Sequence, residues 1–73
     1  MAQTKAAAVT IEYIQQELSQ IREIAGDNEY AHRDEDALRH KVLHAIADGT
    51  PNPAELAAEV LKSTEIEFCR WCA

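Results

Sequence analysis

Hydrophobic side chains recur at three- and four-residue steps in three stretches of this chain, and each stretch predicts an amphipathic helix. In the first, Ile11, Ile14, Leu18, Ile21 and Ala25 share one face, polar residues from Glu12 to Glu23 take the others, and Tyr13 and Ile24 widen the apolar stripe. Thr10 is placed to cap this helix and Gly26 to end it, so it is expected over 9–25. In the second stretch Leu38, Val42, Ala45 and Ile46 fall together. Asp34, Glu35 and Asp36 stand at its expected start, where free backbone N–H groups and the positive end of the helix dipole favour anions, and Gly49 follows as a left-handed C-terminal residue. A helix over 34–48 results. The linker Thr50-Pro51-Asn52-Pro53 cannot be helical, because each proline pushes the residue before it out of the α region. The third helix restarts at once over 53–62, with Asn52 as cap, Pro53 at its first position, Glu55 in capping-box spacing, and Leu56, Ala57, Val60 and Leu61 as the buried face.

Beyond Leu61 the apolar phase shifts, since Ile66, Phe68 and Trp71 do not continue that face. Ser63 or Thr64 followed by Glu67 offers a new cap, which predicts a short last helix from Thr64 or Glu65 to the end of the chain. Two segments are less determined. Residues 27–33 read as a loop or a helical turn, with the alternative that Asp27 caps one long helix reaching Asp48, because nothing from Asn28 onward forbids helix. Residues 1–8 carry no pattern and read as a flexible N-terminus, leaving 9–73 as a single all-α domain, a small bundle of three main helices plus a short C-terminal helix.

Composition narrows the function. A chain of 73 residues has a thin core, and much of its 47% hydrophobic content is alanine, so oligomerisation or a metal would help it. Seven basic against thirteen acidic residues leave a net charge of −6, which repels phosphate backbones and anionic lipid surfaces. Nucleic acid and membrane are therefore not the expected partners. No apolar run approaches the roughly twenty residues that span a bilayer, and the opening residues lack the apolar core of a signal peptide. A cytoplasmic location is expected, in which the two cysteines would be thiols, with a structural disulfide as the second possibility.

Few residues suggest chemistry. Cys69 and Cys72 form a C-x-x-C, a spacing that brings two sulfurs to one metal or to each other, but thioredoxin-like redox work needs a strand-helix setting that no strand pattern here provides. His40 and His44 lie one turn apart on the second helix, away from its apolar face, and with Cys69 and Cys72 they make the right types and number of ligands for structural zinc. Against this, zinc modules usually draw ligands from knuckles or hairpins, whereas these four need the last helix to fold back on the histidine face. The plain reading is solvated helix histidines and ordinary cysteines, with no metal and no cofactor expected. His32 reads as surface. The cluster Asp34-Glu35-Asp36 reads as a helix start, because a calcium loop needs alternating ligands and a glycine. With no nucleophile triad, phosphate-cradling loop or paired catalytic carboxylates, the chain is not expected to be an enzyme.

The segment VLHAIADGTPNPAELAAEVL, residues 42–61, resembles the first two helices of bacterial winged helix-turn-helix regulators. That resemblance implies a following recognition helix with basic or amide side chains. Its place is taken by STEIEFCRWCA, in which Arg70 is outnumbered by two acids. Residues 46–73 also look similar to small uncharacterised helical proteins of bacterial prophages and mobile elements, a resemblance that implies no activity. The expected function is protein binding or self-association by a small acidic module, with a transcriptional regulator and a zinc-stabilised module as alternatives. The expected surface is the stripe of Ile11, Ile14, Leu18 and Ile21, whose coiled-coil spacing lasts about two heptads, together with Phe68 and Trp71.

Overall fold

The computed structural model describes residues 9–70. They are all-α: α1 is Ile11–Glu23, α2 is Asn28–Ala47 and α3 is Pro53–Leu61, with a 3-10 turn, Lys62–Glu65, running on from α3. Each of the three helices packs on the other two.

The first helix begins as its sequence requires. Thr10 is extended, and its hydroxyl oxygen accepts from the Tyr13 amide at 3.0 Å, which satisfies one of the free donors of the first turn. Ile14, Leu18 and Ile21 are fully buried, while Ile11, Tyr13 and Ile24 pack at the edge of the core. The helix stops at Glu23, three residues ahead of Gly26, in a turn closed by the Asp27 amide donating to the Ile24 carbonyl at 2.9 Å.

The second helix starts at Asn28 rather than at residue 34. Asp27 caps it, its carboxylate accepting from the Tyr30 amide at 3.3 Å, so the long-helix alternative is the one adopted. The reason is periodic: Ala31, Glu35, Leu38 and Val42, spaced 4-3-4, are all buried on one side of α2. The two added turns bury Ala31 against the core and carry the acidic cluster into the helix interior. At the other end the Gly49 amide donates to the Ile46 carbonyl and the Thr50 amide to the Ala45 carbonyl, the bond pair of a Schellman motif, with Gly49 at φ 97°.

Pro53 opens α3 after Asn52, but the asparagine side chain does not cap the backbone. Instead it accepts from the Thr50 hydroxyl at 3.1 Å and donates to the Glu55 carboxylate at 3.4 Å, so the capping-box spacing yields a side-chain chain of contacts. Leu56 and Val60 are buried. Leu61 is not part of the buried face: it is 59% exposed, because α3 meets α1 and α2 through 56, 60 and, one step on, Ser63. No C-terminal helix forms among the described residues. The tight turn ends at Glu65, Ile66 is extended with its side chain buried, and residues 67–70 are irregular.

Candidate functional site

Glu35 is the one charged side chain among the described residues that is buried, at 1% exposure, and it occupies a core position of α2 where the 4-3-4 spacing would ordinarily place a hydrophobe. A carboxylate there needs charge and hydrogen bonds to offset its lost hydration. Arg70 supplies them in a two-pronged pair, Nε donating to Oε1 at 2.9 Å and Nη2 to Oε2 at 3.0 Å. Arg39, one turn along α2, donates to Oε2 at 3.2 Å. The same Arg70 nitrogen donates to the carbonyls of Ser63 at 2.7 Å and Ile66 at 3.0 Å, and its guanidinium lies 4.0 Å over the Phe68 ring. Fully buried Ser63 accepts from Arg39 through Oγ at 2.8 and 3.2 Å.

Burial pushes the Glu35 carboxyl upward, but the hydrogen bonds from Arg70 and Ser63 and the charges of Arg39 and Arg70 outweigh it and hold it below the ordinary carboxylate value. The hydrogen bond to Glu35 in turn holds Arg70 above the ordinary arginine value. This network is a clamp. It ties the segment after α3 to the middle of α2, and the Cys69 amide, donating to the Asn28 side chain at 3.0 Å, ties it again at the helix start.

The clamp borders a groove between α2 and α3 of about 220 Å³, lined by Val42, Leu43, Ile46, Ala57, Val60 and Leu61 with Arg39 at one end. Leu43 and Leu61, exposed by 64% and 59%, stand on its opposite sides. Arg39 faces the groove with a side chain that Ser63 and Glu35 hold in place, so the apolar surface has a positioned positive end.

The residues expected to form a binding surface lie elsewhere. Ile14, Leu18 and Ile21 are core positions of a single chain, Ile11 is half-buried beside them, and Phe68 packs against the core under Arg70. Trp71 and Cys72 lie outside the described residues. His40 and His44 are exposed and adjacent, Nε2 to Nε2 at 3.0 Å. Cys69 is not brought to them: its amide is held at Asn28, twelve residues before His40, or about 18 Å along a helix. Cys69 is moreover disulfide-bonded rather than a thiol. No group of three or more metal-ligating side chains occurs among the described residues.

Asp34 and Asp36 flank the buried Glu35 in mid-helix and do not start a helix. The position where a regulator's recognition helix would follow α3 holds the tight turn and the clamped segment. Sequence reading missed Glu35 because the expected start at residue 34 placed it on a helix end. The signal that finds it is the Ala31–Glu35–Leu38–Val42 spacing. Arg70 gives no such signal, since its partner is 35 residues away.

No protein-family model, curated protein or solved structure matches the chain. No helix among the described residues is long and apolar enough to cross a membrane.

Proposed function

We propose that this chain is a small helical bundle acting as a protein-binding module, and that it self-associates through the groove between α2 and α3. The observation that carries the reading is the pair of leucines, Leu43 and Leu61, left largely in water on either side of an apolar groove. A two-fold interface needs a patch that complements itself, and here projecting leucines and the trough that receives leucines belong to the same surface. Fully burying a leucine is worth roughly 1.5–3 kcal/mol, so two leucines per chain, part-buried already, supply a meaningful share of an association energy.

Binding is favoured over catalysis because the buried carboxylate, the natural candidate for acid–base work, is engaged by two guanidinium groups. Nucleic acid is not the partner proposed, since the net charge opposes counterion release. Sedimentation across a concentration range tests the reading. The native chain is expected to move from monomer to dimer, and Leu43→Glu, at an exposed position, to stay folded and monomeric. A native chain that is monomeric throughout, or a Leu43→Glu dimer of unchanged affinity, overturns it.

A further inference from the structure

The two histidines that the zinc reading grouped with Cys69 and Cys72 have a geometry of their own. His40 and His44 turn their Nε2 atoms toward each other across one turn of α2, 3.0 Å apart, with ring centroids 4.5 Å apart and planes at 68°. At this separation one Nε2–H donates to the other Nε2; once both rings are the neutral Nδ1–H tautomer, the two Nε2 lone pairs match the bite of one metal ion. With metal–nitrogen bonds of about 2.05 Å, ligands at a right angle stand about 2.9 Å apart and tetrahedral ligands about 3.3 Å apart. The observed distance lies nearer the right angle, the arrangement of square-planar and octahedral ions.

The surroundings favour a cation. The two rings border a shallow depression between α1 and α2 that also holds Glu17, Asp34 and Asp36 against one cation, Lys41. Lys41 is turned to α1, its Nζ donating to the Tyr13 hydroxyl at 3.1 Å and lying 5.1 Å from the centre of that ring. Three acids against Lys41 leave the depression net acidic, even with Arg33 3.9 Å from Asp34, and a net negative lining attracts cations. Both histidines sit on a 20-residue helix anchored at each end by a cap, so the backbone presents them at fixed spacing before any ion arrives.

We propose that His40 and His44 form a two-point chelate for a divalent transition-metal ion, Ni²⁺ or Cu²⁺ ahead of Zn²⁺, with water completing the coordination. The site is separate from the α2–α3 groove and from the clamp. It does not build the fold, because both rings are on the surface and the helix closes without them. The ion adds to stability by binding the folded helix, where the bite exists, more tightly than the unfolded chain.

The test is calorimetric titration of the native protein with NiCl₂ at neutral pH, beside thermal melts with and without the ion. One ion per chain is expected. His40→Ala and His44→Ala should each weaken binding by about tenfold or more, a change of about 1.4 kcal/mol or above, because each removes one of the two ligands. His32→Ala should leave it unchanged, because that ring pairs with Asp36 at 3.5 Å and is not part of the chelate. At an ion concentration of about a hundred times Kd the folding equilibrium should shift about a hundredfold toward the native state, and both variants should lose that shift. As all three histidines are at least partly exposed, the variants are expected to fold with native helical circular dichroism. Absence of saturable binding with a Kd below about 1 mM overturns the proposal. So does binding that survives His40→Ala together with His44→Ala, or tighter binding of Zn²⁺ than of Ni²⁺.

Discussion

Replacing Arg70 by methionine keeps much of the side chain's length and apolar stem but removes every polar contact of the clamp that Arg70 makes. Lost are two bonds to Glu35 and two to the carbonyls of Ser63 and Ile66. Breaking a buried ion pair by deleting one partner costs about 3–5 kcal/mol, whereas an exposed pair is worth at most about 1 kcal/mol. The clamp lies between these limits. Glu35 is fully buried, but Arg70 is 31% exposed and Arg39 remains as a second partner at 3.2 Å. A loss of about 2–3 kcal/mol is expected, a large part of the total stability of so small a chain, which sits at the low end of about 5–15 kcal/mol.

Urea denaturation followed by helical circular dichroism measures this loss. Glu35→Leu alone should be costly through the unpaired guanidinium groups, and Glu35→Leu with Arg70→Met should cost well under the sum, with a coupling of about 1 kcal/mol or more. The pH dependence gives a second readout with a definite sign. Glu35 ionises more readily in the folded chain than in the unfolded one, so the folded chain binds fewer protons in the acid range. The clamp's contribution is thus complete above the unfolded value, near 4.5, and disappears as pH falls through the lowered folded value. Arg70→Met should flatten that acid slope. A cost below about 0.5 kcal/mol together with an unchanged acid slope would refute the reasoning, because it would place the pair in the class of exposed ion pairs.

Two further outcomes follow from the ends of α2. Asp27→Ala removes the oxygen that accepts from the Tyr30 amide and should destabilise the chain by about 1 kcal/mol, with Asp27→Asn restoring most of it; equal stability of the alanine and asparagine variants in thermal melts would show that the cap contributes nothing. Gly49→Ala should lower stability by about 1 kcal/mol, because a Cβ at φ 97° is strained even though it meets no neighbour within 4 Å; the comparison is Gly26→Ala, which has equal space and no left-handed backbone, and equal losses at both positions would locate the penalty elsewhere than in φ.

Local chemistry was legible from the chain alone. Thr10 before an apolar stripe, Gly49 after one, and Asn52-Pro53 between two are instructions carried by neighbouring residues, and the structure obeys the helix ends they set. The all-α class and the shared face of Ile14, Leu18 and Ile21 followed from period in the same way, but that this face is buried within one chain rather than offered to a partner was decided by the tertiary structure. The tertiary structure decided what depends on residues far apart in sequence. Whether 28–33 joins α2 turned on there being a core for Ala31 to enter, and whether Leu61 is buried turned on the rotation of α3 against two neighbours. The last segment is the clearest case. Its apolar residues and capping spacing favour a helix, yet it adopts a tight turn that buries Ser63 beside Arg39 and an irregular run that sets the Arg70 guanidinium on Glu35. A charge in the core has to be met by its partner, and a partner 35 residues away overrides local preference because desolvating an unpaired carboxylate costs more than one short helix returns.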